Sequence, residues 1–438
     1  MDEQVFDVII VGAGFAGLAA SYHLKKYGIN HIVFERGRIG ESWLSQRWDS
    51  FRTNSTNKLN VLPGQDWSDD STADAFATTT ELVSSFEEYS SSHQLPVLQN
   101  INVISVEKQG NFFHVVVSSK DVHTNYRSRQ ILIASGTANK IKIPQISKNI
   151  SADIWQLHTS QYRNPVQLPK GAVLVIGSAQ SGCQIAEDLL DAGIQVYLST
   201  SMVGRFPRWY RGRDIFYWLI DTKFYEIKAD EVEDPTLFEA RPPQVSGTGS
   251  GKDSLSLQSL AKKGGIILGR LDNADGYIMF FQPDAARHIK YADEFSQEIK
   301  DMIDDLITSN NVAAPPPHYD EADVPDTEAR CASTITSLNL RENNINSIIW
   351  STGFDADFSY IKLPISGTNG KLIHTDGIPH VPGLYFLGYP WLRSRKSSIL
   401  FGIIDDAQFI VDRMCKDLEL QVTPVDTITL AQQDPAEH

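Results

Sequence analysis

Cysteine is scarce in this chain: Cys183, Cys331 and Cys415 are the only three in 438 residues, and they fall in neither CxxC nor metal-ligand spacing. Redox chemistry by thiol exchange needs two neighbouring sulfurs, so that mechanism is excluded, and no metal site is expected. Long apolar runs are lacking too, and none reaches the length of a bilayer span. The start, MDEQVFD, is acidic and leads directly into a strand-like run, which is unlike a signal peptide. The expectation is a cytoplasmic protein without a membrane anchor. A basic excess is also missing. With a formal net charge of −15 and a pI near 5.2, the chain offers no basic face for nucleic acid or anionic lipid.

What is present is a stretch that organises the rest, Val8 to Glu35, VIIVGAGFAGLAASYHLKKYGINHIVFE. Its four apolar residues before Gly12 read as a strand buried on both faces. Gly12 permits a tight turn, Gly14 lets backbone approach a pyrophosphate, and Gly17 lets a helix lie close to the sheet. Amides at the start of that helix, around Phe15 and Ala16, face the phosphates. Glu35 ends the next strand, where a carboxylate accepts from ribose hydroxyls, with Arg36 beside it. The spacing predicts a dinucleotide-binding βαβ unit, read as a site for FAD.

The pattern returns at Val173 to Ser201, with Gly177, Ala179 and Gly182 in the glycine positions and Ser178, Gln180 and Ser181 between them. Gly12 to Glu35 and Gly177 to Thr200 are both 23 residues apart, so Thr200 stands where the ribose-binding acid would be. A carboxylate there repels a 2′-phosphate. Ser199 and Thr200 offer hydroxyls instead, and Arg205 offers a cation nearby, each charge-assisted bond contributing about 1.5–3 kcal/mol. The second unit is therefore read as preferring NADPH, the bland alternative being a polar turn and a solvated arginine. Cys183, at the start of the second helix, reads as a small packing residue.

Between the units, Gly40 to Leu62 carries Trp43, Trp48 and Phe51 among polar residues, more aromatic surface than a solvated loop needs. Ser42, Trp43 and Trp48 are candidates to shield a flavin, and Arg47, Arg52 and Asn54 to present donors to it. Two strands ending in small residues, at Gln130 to Lys140 (with Gly136) and at Ser347 to Asp355 (with Thr352 and Gly353), look like crossovers between domains. Near the end, Arg395, Ser397 and Ser398 precede a helix whose N-terminus would face the flavin pyrimidine, with Ser397 expected to start it. The expected fold is α/β: two Rossmann-like dinucleotide-binding domains of the glutathione-reductase-like kind, the second inserted in the first. The boundaries read as 1–164 and 336–438 for the FAD-binding domain and 165–335 for the NADPH-binding domain.

Taken together, the paired glycine motifs, the two crossovers and the ending GLYFLGYPWLRSRKSSILFGIIDDA resemble the class B flavoprotein monooxygenases, and more narrowly the bacterial flavin-containing monooxygenases. That family carries a fingerprint FxGxxxHxxxY ahead of the second glycine motif. ADIWQLHTSQY, Ala152 to Tyr162, matches it at His158 and Tyr162, while Ala152 and Ile154 replace the Phe and Gly. The resemblance implies FAD and NADPH as cofactors, molecular oxygen and a small organic molecule as substrates, and oxygenation through a C4a-hydroperoxyflavin, at nitrogen or sulfur on the strength of Tyr162. It also implies an asparagine beside the flavin, for which Asn54 is the candidate, with Asn57 or Arg52 as alternatives. Baeyer–Villiger or keto-acid-decarboxylating oxygenation, and a flavin reductase or oxidase, remain open readings of the same fold, as does a homodimer.

Overall fold

The strand predicted at Val8 begins earlier, as β1 (Val5–Val11), and runs parallel to β2 (His31–Phe34) across helix α1 (Phe15–Lys26). The computed structural model describes residues 5–65, 71–247, 253–326, 334–367 and 370–422; Cys331 lies outside them. The sheet continues through β3 (Val97–Leu98) on one side. On the other side lie β6 (Val122–Ile133), β5 (Phe112–Ser119) and β4 (Asn102–Gln109), giving the order β3-β2-β1-β6-β5-β4. β4 and β5 form a hairpin about Gly110, whose φ of +59° suits glycine. A seventh strand, Leu384–Phe386, returns from the far end of the chain to lie parallel on β6.

The second sheet has five strands, all parallel, in the order Ile266–Leu268, Val196–Ser199, Ala172–Ile176, Ile345–Trp350 and Trp155–His158. Its central strands are buried on both faces, as continuous apolar runs such as AVLVI require. The strands at Trp155–His158 and Ile345–Trp350 lie outside the interval 165–335 expected for this unit. The first carries little periodicity of its own and takes its place by pairing with the second, which the sequence marks as a strand, though as a crossover between domains. The second sheet is nevertheless inserted within the chain of the first.

Each sheet is covered by helices. Against the first pack α1, α3 (Thr79–Ser92) and the last helix (Leu400–Val422), which shares a core with Val8, Ile10 and Leu132. Thr78 and Glu81 close a capping box at the start of α3, which fixes that end of the helix. Against the second packs α4 (Gln180–Asp191), through Cys183, Ile185 and Leu189. A third, aromatic cluster joins Phe206, Tyr210, Phe216, Trp218 and Tyr225 to the amphipathic helix Ala285–Ser309, whose apolar residues recur every three or four positions. No helix among the described residues is long and apolar enough to cross a membrane.

Candidate functional site

The first glycine turn is built to hold an anion. Gly12 has φ +104°, and a Cβ there would sit 2.6 Å from the Ala134 carbonyl oxygen. A Cβ on Gly17 would run into the Gly12 carbonyl, so both positions require glycine, whereas Gly14 opens onto free space. Helix α1 has no side-chain cap and no acid in its first turn, which leaves its first amides and its positive end free for phosphate. The Glu35 carboxylate accepts from the amides of Ala13 (2.9 Å) and Gly37 (2.8 Å), which pins it at the strand end.

These groups line a groove of about 570 Å³ together with Phe15, Ala16, Arg36, Ser42, Trp43, Arg47 and Gly136, and with Ser398 and Leu400 at the start of the last helix. Of the residues expected here, Trp48 is placed elsewhere. It is 2% exposed and packs with Phe51 into the core of the second domain. Tyr360, which sequence reasoning missed, completes the groove and shares the Ser135 hydroxyl with Tyr389, both at 3.0 Å. Those partners lie over 200 residues apart in the chain, and no local pattern signals them.

The loop after Trp43 carries the site toward the second unit. The Asn54 side-chain oxygen accepts from Gln180 Nε2 (3.3 Å) and Ser246 Oγ (3.2 Å), and its backbone carbonyl accepts from Arg208 Nη1 (2.6 Å). Asn54 thus meets the second glycine motif directly. Its rivals do not: Asn57 donates to the Thr72 carbonyl, and Arg52 is committed to the Phe76 carbonyl at 2.9 Å. Arg208 is wholly buried, ion-paired to Asp214 and stacked over Phe76.

The second glycine turn repeats the first: Gly177 has φ +109°, a Cβ on Gly182 would meet the Gly177 carbonyl, and α4 again lacks a side-chain cap and a first-turn acid. Ser181 lies in that first turn. Over it runs the segment Gln244 to Gly247, tied down by Gln244 to the Ser178 carbonyl (2.8 Å) and by Gln180 to both Val245 and Ser246.

The strand-end polar residues are turned inward, contrary to expectation. The Ser199 hydroxyl donates to the Gly269 carbonyl, and Thr200 Oγ1 donates to the Leu268 carbonyl. Arg205 is 3% exposed and ion-paired to Asp293 (2.9 Å) and Asp323 (2.8 Å), a buried charge balanced within the domain instead of a free clamp. Cys183 is the packing residue it was read as, its thiol pushed up by burial.

At the crossover, His158 is buried and neutral. Its Nδ1 accepts from the Ser160 amide (3.2 Å), which places the ring proton on Nε2 for donation to the Gly353 carbonyl (2.9 Å), and burial holds its pKa below the usual histidine range. Thr352 donates to the Lys142 carbonyl. Thr352 and Gly353 therefore fasten the return crossover and do not line the groove. Tyr162 is also structural, donating to Asp188 at 2.6 Å. The last helix starts at Leu400, and the Ser397 hydroxyl accepts from the amides of Arg393 and Ser394 in the turn before it. Arg395 lies over the Phe224 ring at 4.1 Å, away from the groove.

Comparison with known proteins shows what this geometry is similar to. Residues 9–219 match the pyridine nucleotide-disulphide oxidoreductase family. An uncharacterized CzcO-like oxidoreductase of Geobacillus kaustophilus is 29% identical over 94% of this chain and 98% of its own. The flavin-containing monooxygenase of Stenotrophomonas maltophilia superposes with a TM-score of 0.62 at 18% identity, over 94% of this chain and 99% of that one. The chain is an enzyme, similar in sequence and fold to these flavoprotein oxidoreductases and monooxygenases. Two part-length likenesses carry specific activities in their names. Indole-3-pyruvate monooxygenase YUCCA8 of rice is 26% identical over 48% of this chain and 51% of its own. Senecionine N-oxygenase of Tyria jacobaeae is 26% identical over 42% and 44%.

Proposed function

We propose that this class B monooxygenase-like chain is an FAD-containing, NADPH-dependent monooxygenase that oxygenates a small organic substrate at nitrogen or sulfur. The observation that carries the reading is Asn54. It extends from the loop that borders the first groove and bonds to Gln180, in the first turn of α4, so one side chain bridges the places where two dinucleotides would present their reactive rings.

The residues of the first groove suit FAD: a glycine turn with free helix amides for the pyrophosphate, and the pinned Glu35 carboxylate for ribose. The second glycine turn suits a nicotinamide dinucleotide by the same argument. When bound, FAD supplies the redox chemistry, accepting a hydride and activating oxygen. The chain's own residues bind, orient and exclude water. Trp43 walls the groove, and Asn54, held by Arg208 from behind, orients what lies between the two sites. His158 keeps its proton on Nε2 and fastens the crossover, so it takes no part in proton transfer. This division of labour accounts for a site without a nucleophile or an acid–base pair. The N-oxygenase relative supports the nitrogen or sulfur outcome; the YUCCA relative favours a keto acid as the second reading.

The test is to purify the protein, identify the flavin it retains, and follow NADPH oxidation with amines, sulfides and keto acids under labelled oxygen. The expected result is one labelled oxygen atom in an amine or sulfide product. NADPH consumption that yields only hydrogen peroxide with every substrate would overturn the proposal in favour of a reductase or oxidase.

A further inference from the structure

The two fully buried arginines among the described residues have carboxylate partners: Arg205 has Asp293 and Asp323, and Arg208 has Asp214. Arg47 does not. Among the described residues it forms no ion pair, and its one side-chain hydrogen bond goes to the Gln46 carbonyl at 3.1 Å. The guanidinium stands 5.3 Å from the Trp43 ring centroid and 5.4 Å from that of Phe51, and the surface it leaves uncovered opens onto the cofactor groove. With no carboxylate beside it, burial pulls its pKa down to about 10, so it is charged at neutral pH but poorly solvated. A cation held this way in an acidic protein is a site for a negative charge that arrives from elsewhere.

Its place along the groove says which charge. Glu35 and Arg36 mark where the ribose of the first dinucleotide belongs. Arg47 belongs instead to the loop that joins the second domain: Phe51 packs into that domain's core, and Arg163 grips the loop by donating to the carbonyls of Ser45 and Arg47. Asn54, farther along the same loop, reaches Gln180. The positive charge therefore lies on the part of the groove wall that is tied to the second dinucleotide unit.

Resting on the FAD reading, we propose that Arg47 stabilises the anionic reduced flavin over the neutral oxidised flavin, and so raises the midpoint potential. A hydride brings two electrons and one proton to the neutral oxidised ring and leaves a monoanion, while NADPH becomes NADP⁺. A fixed cation beside the ring favours the product of that step. The FAD pyrophosphate is the competing partner, but it carries the same charge in both redox states. An arginine serving it would change affinity without changing potential.

The experiment compares Arg47→Met, which keeps an apolar stem against Trp43 and loses the charge, with Arg47→Lys, which retains the charge. The readouts are the two-electron midpoint potential and the affinity for oxidised FAD. A tenfold loss of preference for reduced flavin is about 30 mV for a two-electron couple. Arg47→Met is expected to fall by at least that amount with oxidised FAD affinity within about twofold of the natural chain, and Arg47→Lys to stay within a third of it. An unchanged potential in Arg47→Met overturns the inference, as does an equal loss of affinity for both redox states, which assigns the arginine to the pyrophosphate. Should Arg47→Met not fold, Arg47→Gln carries the same expectation. A protein that takes up no flavin at all fails the FAD reading itself, a result separate from either of these.

Discussion

Replacing Asp214 with asparagine isolates one charge at the junction of the two units. Arg208 and Asp214 are both 0% exposed by side chain and in direct contact. Burial raises the Asp214 carboxyl despite the arginine beside it, and lowers the Arg208 guanidinium despite the carboxylate. Both directions say that the charged forms lose solvation that their attraction does not fully return. The intact pair is thus a weak source of stability, but half of it is a severe defect: a buried arginine left without its carboxylate costs about 3–5 kcal/mol. Asparagine retains an oxygen for the Phe216 amide, which Asp214 caps at 2.9 Å, so helix capping at Ile215–Asp221 survives and the loss measures the charge. Against a total stability of about 5–15 kcal/mol for a domain, that loss is large. Urea unfolding followed by tryptophan fluorescence reports it, Trp218 being one of the buried fluorophores close by, where it donates to the Tyr210 carbonyl at 2.7 Å. Removing the charge as well, in Arg208→Met with Asp214→Asn, is expected to recover more than half of the stability. Turnover should not return with it, since the Asn54 carbonyl has lost its donor. A single variant within about 1 kcal/mol of the natural chain, or a double variant no more stable than the single, refutes the reasoning.

Gly12→Ala places a Cβ 2.6 Å from the Ala134 carbonyl at φ +104°, and is expected to abolish flavin retention, read from the absorbance of the purified protein. Asn54→Ala should retain flavin and lose at least about tenfold in turnover with NADPH, about 1.4 kcal/mol of barrier, because its contacts with Gln180 and Ser246 go while the first groove stays intact. His158 is kept neutral by burial, as are His23, His31 and His288. Their folded pKa values lie below the unfolded value of about 6.5, so stability is full above that pH and falls as pH drops through the folded values, by about 1.4 kcal/mol per pH unit for each proton. His158→Asn should flatten that slope by up to one proton in unfolding curves taken from pH 7.5 to 5.5. Arg205→Met should lower the melting temperature yet change the NADPH-to-NADH ratio of KM by less than about threefold; a loss of tenfold or more for NADPH alone would show that the arginine leaves its aspartates to hold the 2′-phosphate.

The sequence is most readable where one short stretch contains both the need and the answer. A turn at φ +104° or +109° demands glycine, and a close helix demands another five residues on, so the GxxxxG spacing of Gly12 with Gly17 and of Gly177 with Gly182 announces strand, turn and helix together. The hairpin about Gly110 and the helix Ala285–Ser309 are legible for the same reason, through periods of two and 3.6. The edge strands of the second sheet are not. Trp155–His158 is four residues with no alternation to speak of, and it is a strand because Ile345–Trp350, some 190 residues away, supplies its hydrogen bonds.

The same limit governs the site. Glu35 is found from spacing alone, since its partners are the Ala13 and Gly37 amides of its own βαβ unit. Thr200 and Arg205 occupy equally suggestive positions, and there spacing misleads: where a side chain points depends on Leu268, Asp293 and Asp323, which lie on other elements. A buried cation is defined by what stands opposite it. Arg205 and Arg47 look alike in the sequence, each beside a dinucleotide motif in an acidic chain. Only the fold shows that the first already has its carboxylates and that the second, facing the groove, does not.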